Sequence, residues 1–310
     1  MTQADSCFYN PEKRDYERGT PSDASAAMLA ELQPSLLALS VNDFHAGSAV
    51  VIDDQEHAAT DMHVALIGRQ LQVRTPSGRM LDARIEKLDV IKDLAILKVP
   101  GLNESGARPA RLDLNVVSRE QEKAFAVGAP WAAAGRPVCV SEGSIQGVKS
   151  SADGMRSQTS PDWPFTLFDF SVDLHFGKDA ERFVSQNKQA LIGRAREWDS
   201  MPRIVSDAVA TNGVSGGALA TQYGVEGIVQ MGSPKAGSRS APIREFLDLA
   251  EKPSRFTFQY DVATRRLQSV QPVNPLDSTA AAEARLAEII LSRNQGVVDA
   301  SASEEESGSR

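Results

Sequence analysis

Cysteine is nearly absent from this chain: Cys7 and Cys139 are the two in 310 residues. Two cysteines cannot build a disulfide framework. Cys139, inside an apolar stretch, reads as a buried free thiol rather than a bridge or a nucleophile. Histidine is also scarce, at four (His45, His57, His63 and His175), and no cluster of Cys or carboxylate partners stands at ligand spacing around them. That argues against metal catalysis, and neither a metal nor another cofactor is expected. Basic residues are in deficit: 33 Lys and Arg face 41 Asp and Glu, a net charge of −8. Such a balance argues against a nucleic-acid partner, because phosphate binding is dominated by Lys and Arg. No apolar run approaches the length of a membrane span, and residues 1–23 lack the apolar core of an export signal. What remains is 41% hydrophobic and 24% charged, ordinary for a globular chain holding one large domain or two small ones.

The most informative segment is Asn212-Gly213-Val214-Ser215-Gly216-Gly217-Ala218-Leu219. A serine set among glycines ahead of a short apolar run is held on a tight turn before a strand. Gly213 allows a backbone conformation that a Cβ would oppose, so neighbouring N–H groups can converge beside the Ser215 hydroxyl. A nucleophile next to an oxyanion hole has that form. Alone, the string is also what an ordinary Gly-Ser loop looks like.

Two other segments supply partners. Ala49-Val50-Val51-Ile52 reads as a buried strand, followed by a turn and Ala59-Thr60-Asp61-Met62-His63. Asp93 stands just ahead of the apolar strand Leu94-Ala95-Ile96-Leu97, where its carboxylate can be buried against an imidazole. A serine hydroxyl needs a base to take its proton, and the base needs a carboxylate to set its tautomer. His57 lies in the polar turn after Asp53 and reads as a solvated loop residue. His45 reads as a surface or edge residue, and His175 as a polar position on a strand.

These segments resemble the chymotrypsin-like serine proteases, and among them the bacterial HtrA (Deg) branch. The resemblance rests on "GSAVVID…ATDMHV", "DVIKDLAILKV" and "SDAVATNGVSGGAL" with its downstream "GVEGIVQMGS" and "SAPIREFLDLA", and covers roughly residues 44–150 and 203–252. "VGAPWAAAGRPVCVSEGSIQGV" is similar to the opening of the second barrel in that branch. The order His63, Asp93, Ser215 is that of the chymotrypsin family. The resemblance implies an all-β fold of two six-stranded barrels with the triad in the cleft between them. It also implies a polypeptide substrate and an oxyanion hole made by the N–H groups of Gly213 and Ser215. Val209 would lie at the floor of the primary pocket, with Ile228, Val229, Gln230 and Met231 as a wall and substrate-pairing edge. Asp207, the one acid near that floor, matches an Asp that relatives carry without a preference for basic residues, so the pocket is expected to take small or medium apolar side chains. Two departures stand out. Val214 replaces the usual Asn or Asp, and 253–310 is short for a PDZ domain. Relatives are usually exported, whereas residues 1–23 do not read as an export signal, so the sequence leaves the compartment open. An oligomer is compatible with the sequence but nothing in it points to one.

The expected organisation is an N-terminal extension (1–40), a protease domain (41–252) with an insertion at 151–202, and a C-terminal extension (253–310). Within these, residues 1–25 read as a flexible arm, followed by a short helix broken at Pro34 and a strand. First-barrel strands are expected near 47–52, 71–75, 80–88 and 94–99, with a hairpin turn at Thr75-Pro76-Ser77-Gly78. In the insertion, Phe168 to Phe176 alternates as a half-buried strand, and Phe183, Val184, Leu191, Ile192, Ala195 and Trp198 mark a helix from about 178 to 198. It packs on the second barrel as an ornament, or forms a lid or exosite; the sequence weighs these equally. Phe256 to Val262 reads as an extra strand, Ser278 to Ser292 as a helix capped by Ser278, and 301–310 as a disordered acidic tail. Two functional classes follow: a serine endopeptidase, or a catalytically weak protease-like module that binds extended peptides by strand addition.

Overall fold

The computed structural model describes residues 6–41, 44–115, 119–130, 138–151, 177–233 and 237–308. The chain opens with a hairpin of β1 (Ser6–Asn10) and β2 (Asp15–Gly19), then α1 (Asp23–Leu32), capped by the Ser22 side chain, which accepts from the N–H of Ser25. Pro34 turns the helix into a single 3-10 turn ahead of β3 (Leu36–Val41). Next come β4 (Phe44–Val51), β5 (His57–Thr60), α2 (Met62–Ala65), β6 (Leu71–Arg74), β7 (Met80–Asp89) and β8 (Leu94–Lys98). The strands close a barrel in the order β3-β4-β5-β8-β7-β6. Thr75 and Gly78 form the expected turn between β6 and β7, with the Gly78 N–H donating to Thr75 O at 2.8 Å.

The second barrel uses β9 (Lys123–Gly128), β10 (Cys139–Ser150) and, after helices α3 (Lys178–Gln186) and α4 (Lys188–Ser200), β11 (Pro202–Ser206). It is completed by β12 (Ala218–Thr221), β13 (Gly224–Ser233) and β14 (Gly237–Pro242). These pair as β11-β14-β13-β12-β9-β10, and β10 returns to β11, closing six antiparallel strands. Helix α5 (Ile243–Glu251), a hairpin of β15 (Phe256–Tyr260) and β16 (Leu267–Pro272), and α6 (Ser278–Gly308) follow. Among the described residues no helix is long and apolar enough to cross a membrane.

The unbroken apolar runs have a simple cause. Side chains alternate faces along a strand, and β4 and β8 are covered on both. Ala49, Val51, Ala95 and Leu97 join the first-barrel core. Val50, Ile52, Leu94 and Ile96 pack with Phe125, Val127 and Ala218 of the second barrel. The runs read in the sequence are therefore the strands at which the barrels meet.

Several expectations are corrected. Residues 6–19 are not an arm: β1 adds in parallel to β10, with Cys7 directly opposite Cys139. That register brings the two within bridging distance, Cα to Cα 4.5 Å, and they form a disulfide rather than leaving Cys139 a free thiol. The insertion carries two helices broken at Asn187 instead of one, and the strand expected over 168–176 lies outside the described residues, as does His175. The buried apolar side chains of these helices join the first barrel rather than the second. Ala180, Val184, Leu191, Ala195 and Trp198 belong to the first-barrel cluster together with Leu286 and Ile290 of α6. Helix α6 is capped by Asp277, whose carboxylate accepts from the N–H groups of Thr279 (3.0 Å) and Ala280 (2.9 Å), and not by Ser278. It runs on through 301–308, which the sequence reads as disordered.

Candidate active site

His63 follows directly from local packing. Strand β5 ends at Thr60, whose hydroxyl donates to Ser48 O at 2.7 Å, and α2 begins two residues on. Met62 and Val64 are buried in the first barrel, which leaves the His63 side chain, 22% exposed, facing outward. The His63 N–H donates to Asp93 Oδ1 at 2.9 Å, and the ring Nδ1 lies 3.1 and 2.9 Å from Asp93 Oδ1 and Oδ2. His63 and Asp93, distant in the sequence and expected to act together, are thus in direct contact. His57 is not a solvated loop residue: it opens β5 with Nδ1 2.7 Å from Asp53 and Nε2 3.3 Å from Glu86. His45 is half-buried with Nε2 against Ala129 O, and burial lowers its pKa.

Asp93 adopts φ 61°, a left-handed conformation that few residues other than glycine tolerate. Gln230 pins it there, its Nε2 donating to Asp93 O at 2.7 Å and Lys92 O at 3.2 Å. The sequence places Gln230 in the pocket wall but carries no sign of this second contact. Asp61 is another residue the sequence analysis passes over. It is fully buried, neither carboxylate oxygen has a well-aligned hydrogen-bond partner among the described residues, and its ligand atoms lie within 4.8 Å of those of His63 and Asp93. Burial, and then the Asp93 charge, push its pKa well up. For His63, burial disfavours the imidazolium. The charge and hydrogen bond of Asp93, with a contribution from Asp61, outweigh that and raise its pKa to about 9. The Arg203 guanidinium is buried near this group. Burial lowers its pKa to about 10 against the attraction of Asp93 and Asp61.

The serine turn is built from both barrels. Gly213 has φ 92° and Gly216 φ 81°. A Cβ on Gly216 would sit 1.9 Å from Ser48 O and 2.3 Å from Thr60 Oγ1, so only glycine lets the turn rest on the first barrel there. Ser48 fastens it: its Oγ donates to Gly213 O (2.8 Å) and accepts from Ala129 N (2.8 Å), while its own N–H donates to Ser215 O (2.8 Å). With those carbonyls held, no hydrogen bond among the described residues engages the N–H of Gly213 or Ser215. Val214 is fully buried in the second-barrel cluster with Leu219 and Val229. Its branched side chain packs inward instead of crowding the turn's open face.

A cleft of ≈ 510 Å³ is lined by His63, Gly213, Ser215, Gln230, Met231 and Asn294, among others. Ile228 and Val229, expected beside Gln230, are fully buried and belong to apolar clusters on opposite faces of β13. Val209 lies just outside the cleft lining, which begins at Ala210. Its N–H donates to Ser141 Oγ at 2.9 Å, and its carbonyl accepts from Tyr16 of the N-terminal hairpin at 3.1 Å. Asp207 is exposed, its carboxylate accepting from Ser144 N at 2.5 Å and Gln146 Nε2 at 3.0 Å.

No curated protein sequence matches this chain. Solved structures do match. One is the M. tuberculosis H37Rv protease Rv3671c in an inactive form (16% identity, 74% of this chain and 94% of that one, TM-score 0.51). A second is a serine endoprotease from Yersinia pestis (16%, 78% and 71%, TM-score 0.51). A third is the HtrA-type protease AlgW with a decapeptide (18%, 77% and 70%, TM-score 0.51). At these identities the likeness is one of fold, two barrels included. Residues 47–225 match the trypsin-like peptidase domain, more than half of the chain and the stretch that holds His63, Asp93 and Ser215. The chain belongs to the trypsin-like peptidase family, a family of serine endopeptidases.

Proposed function

We propose that the chain hydrolyses peptide bonds in extended or unfolded polypeptide through Ser215, His63 and Asp93. Ser215 Oγ attacks the scissile carbonyl while His63 Nε2 takes its proton. Asp93 holds the proton on Nδ1 and steadies the imidazolium, and the N–H groups of Gly213 and Ser215 receive the oxyanion. The imidazolium then protonates the leaving amine. Water, deprotonated by the same ring, releases the acyl group and restores Ser215. The observation that carries this reading is the contact of both Asp93 oxygens with His63 Nδ1, on one wall of the cleft that Ser215 lines.

Specificity for small or medium apolar residues before the cut rests on the segment from Ala208 to Ala210. Its two alanines are buried, and its nearest acid, Asp207, is turned to the surface and satisfied there. A buried Lys or Arg would find no counter-charge, a prohibitive cost.

A fluorophosphonate probe should label the wild type and leave Ser215→Ala unlabelled with its fold intact. Asp93→Asn should lower turnover by roughly four orders of magnitude, while His57→Ala behaves as wild type. Absence of labelling alongside retained peptide binding would replace the hydrolase reading with that of a peptide-binding module. A library preference for Lys or Arg that disappears in Asp207→Asn would overturn the pocket assignment.

A further inference from the structure

Asn294, near the far end of the sequence, lines the same cleft as His63 and Ser215. Its place there is built. Asn294 Nδ2 donates at 3.0 Å to Leu66 O, where α2 ends just beyond His63. The next residue, Gln295, accepts from the N–H of Arg69 at 3.4 Å. Arg69 in turn donates to Leu267 O and Gln268 O, both at 2.9 Å, and pairs with Glu288 of α6 at 3.4 Å. The loop after His63 is therefore clamped to β16 and α6. The buried face of α6, which includes Leu286, Ile290 and Leu291, packs as part of the first-barrel cluster. A side chain so anchored is pre-organised, as recognition of a substrate requires.

We propose that Asn294 forms a substrate subsite on the leaving-group side of the scissile bond and selects residues that donate hydrogen bonds there. This rests on the hydrolase reading for its orientation: the acyl portion of the substrate runs along Gln230 to Gly232, with Ser215 at the centre. Ala46, Val64, Ile67 and Asn294 complete the cleft beyond it. Capping Leu66 uses one N–H of the carboxamide. The Oδ1 acceptor and the second N–H are what Asn294 offers a ligand. An acceptor on the wall favours Ser, Thr, Asn or Lys, and a bulky apolar residue against it leaves the carboxamide desolvated without a partner.

The test measures peptide binding by fluorescence anisotropy on full-length Ser215→Ala, which binds without turnover. Two peptides carry Ala before the cut and either Ser or Leu at the first two positions after it. Asn294→Leu keeps the side-chain size and removes the polar groups. It should weaken the Ser peptide about 3- to 10-fold, the range of one hydrogen bond, and leave the Leu peptide equal or tighter. Asn294→Asp should shift preference toward a Lys peptide. A purely structural cap would lower Tm and weaken both peptides alike. Equal loss, no loss, or no peptide binding in any variant overturns the proposal. Failure of the hydrolase reading is seen separately: the wild type goes unlabelled by fluorophosphonate while the peptide preference still depends on Asn294.

Discussion

Glu283 of α6 is fully buried, yet two arginines reach it. Arg194 Nε of α4 lies at 2.9 Å, and Arg255 Nη1 lies at 2.9 and 3.0 Å from its two oxygens. Arg194 also pairs with Asp89 of β7 at 2.5 Å. One carboxylate thus ties the insertion, the C-terminal extension and the first barrel together. Removing one partner of a buried ion pair costs about 3–5 kcal/mol, because the other charge stays buried without compensation. Here the loss is softened. Arg194, 14% exposed, keeps Asp89 and Glu197, and Arg255, 35% exposed, keeps water and Asp277 at 3.6 Å. Glu283→Ala is therefore expected to cost about 3 kcal/mol, the low end of that range. At 2–4 °C per kcal/mol for a chain of this size, Tm should fall by about 6–12 °C in calorimetry. Burial holds the Glu283 carboxyl above its ordinary 4.5. The folded state then binds that proton more tightly than the unfolded chain, and wild type loses stability as pH rises from 4.5 through the raised value. The alanine variant lacks that term, so its deficit should be largest at acid pH. A double-mutant cycle with Arg194→Met should return a coupling above 1 kcal/mol, the scale of contacts within one network. A Tm change below about 2 °C, less than 1 kcal/mol on the same scale, would refute the reasoning.

Three further outcomes are expected. With the His63 pKa near 9, kcat/KM should climb about tenfold per pH unit from pH 7 to 8 and level off near 9. Asp61→Asn should move that inflexion to lower pH, and a profile already flat at pH 7 would contradict the assignment. The same shift sets a stability trend: the His63–Asp93 pair stabilises fully below pH 6.5 and its contribution is lost as pH rises through about 9. Melting of Ser215→Ala across that window checks it. Cys7→Ser opens a cross-link of sequence separation 132 and should cost about 2–5 kcal/mol. An unchanged Tm under non-reducing conditions would show that β1 holds to β10 without it. Truncation after Gly296 should leave Tm and peptide hydrolysis within error, since residues 297–310 hold only Val297 and Val298 as apolar side chains larger than alanine. A large loss of either would place 297–308 in the packed structure.

His63, Asp93 and Ser215 were legible in the sequence because each is announced by its neighbours. A histidine one turn past a buried strand, an acid opening another, and a serine between glycines at positive φ are local patterns. The barrel strands were legible for the same reason, as were the hairpin at Thr75 and the break at Pro34. What surrounds these three candidate residues was decided in three dimensions. Ser48 holding Gly213 O, Gln230 holding Asp93 O, Cys7 opposite Cys139, Glu283 between two arginines and Asn294 in the cleft wall each join residues far apart in the chain. No local pattern marks such pairs. Strand register and the docking of helices on the first barrel select them, and a one-residue slip in β1 would turn Cys7 to the opposite face of its sheet. The amino-acid sequence by itself determined the candidate catalytic residues and the strands that carry them. Only the closing of two barrels and the packing of both extensions decided which distant side chains hold those residues in place.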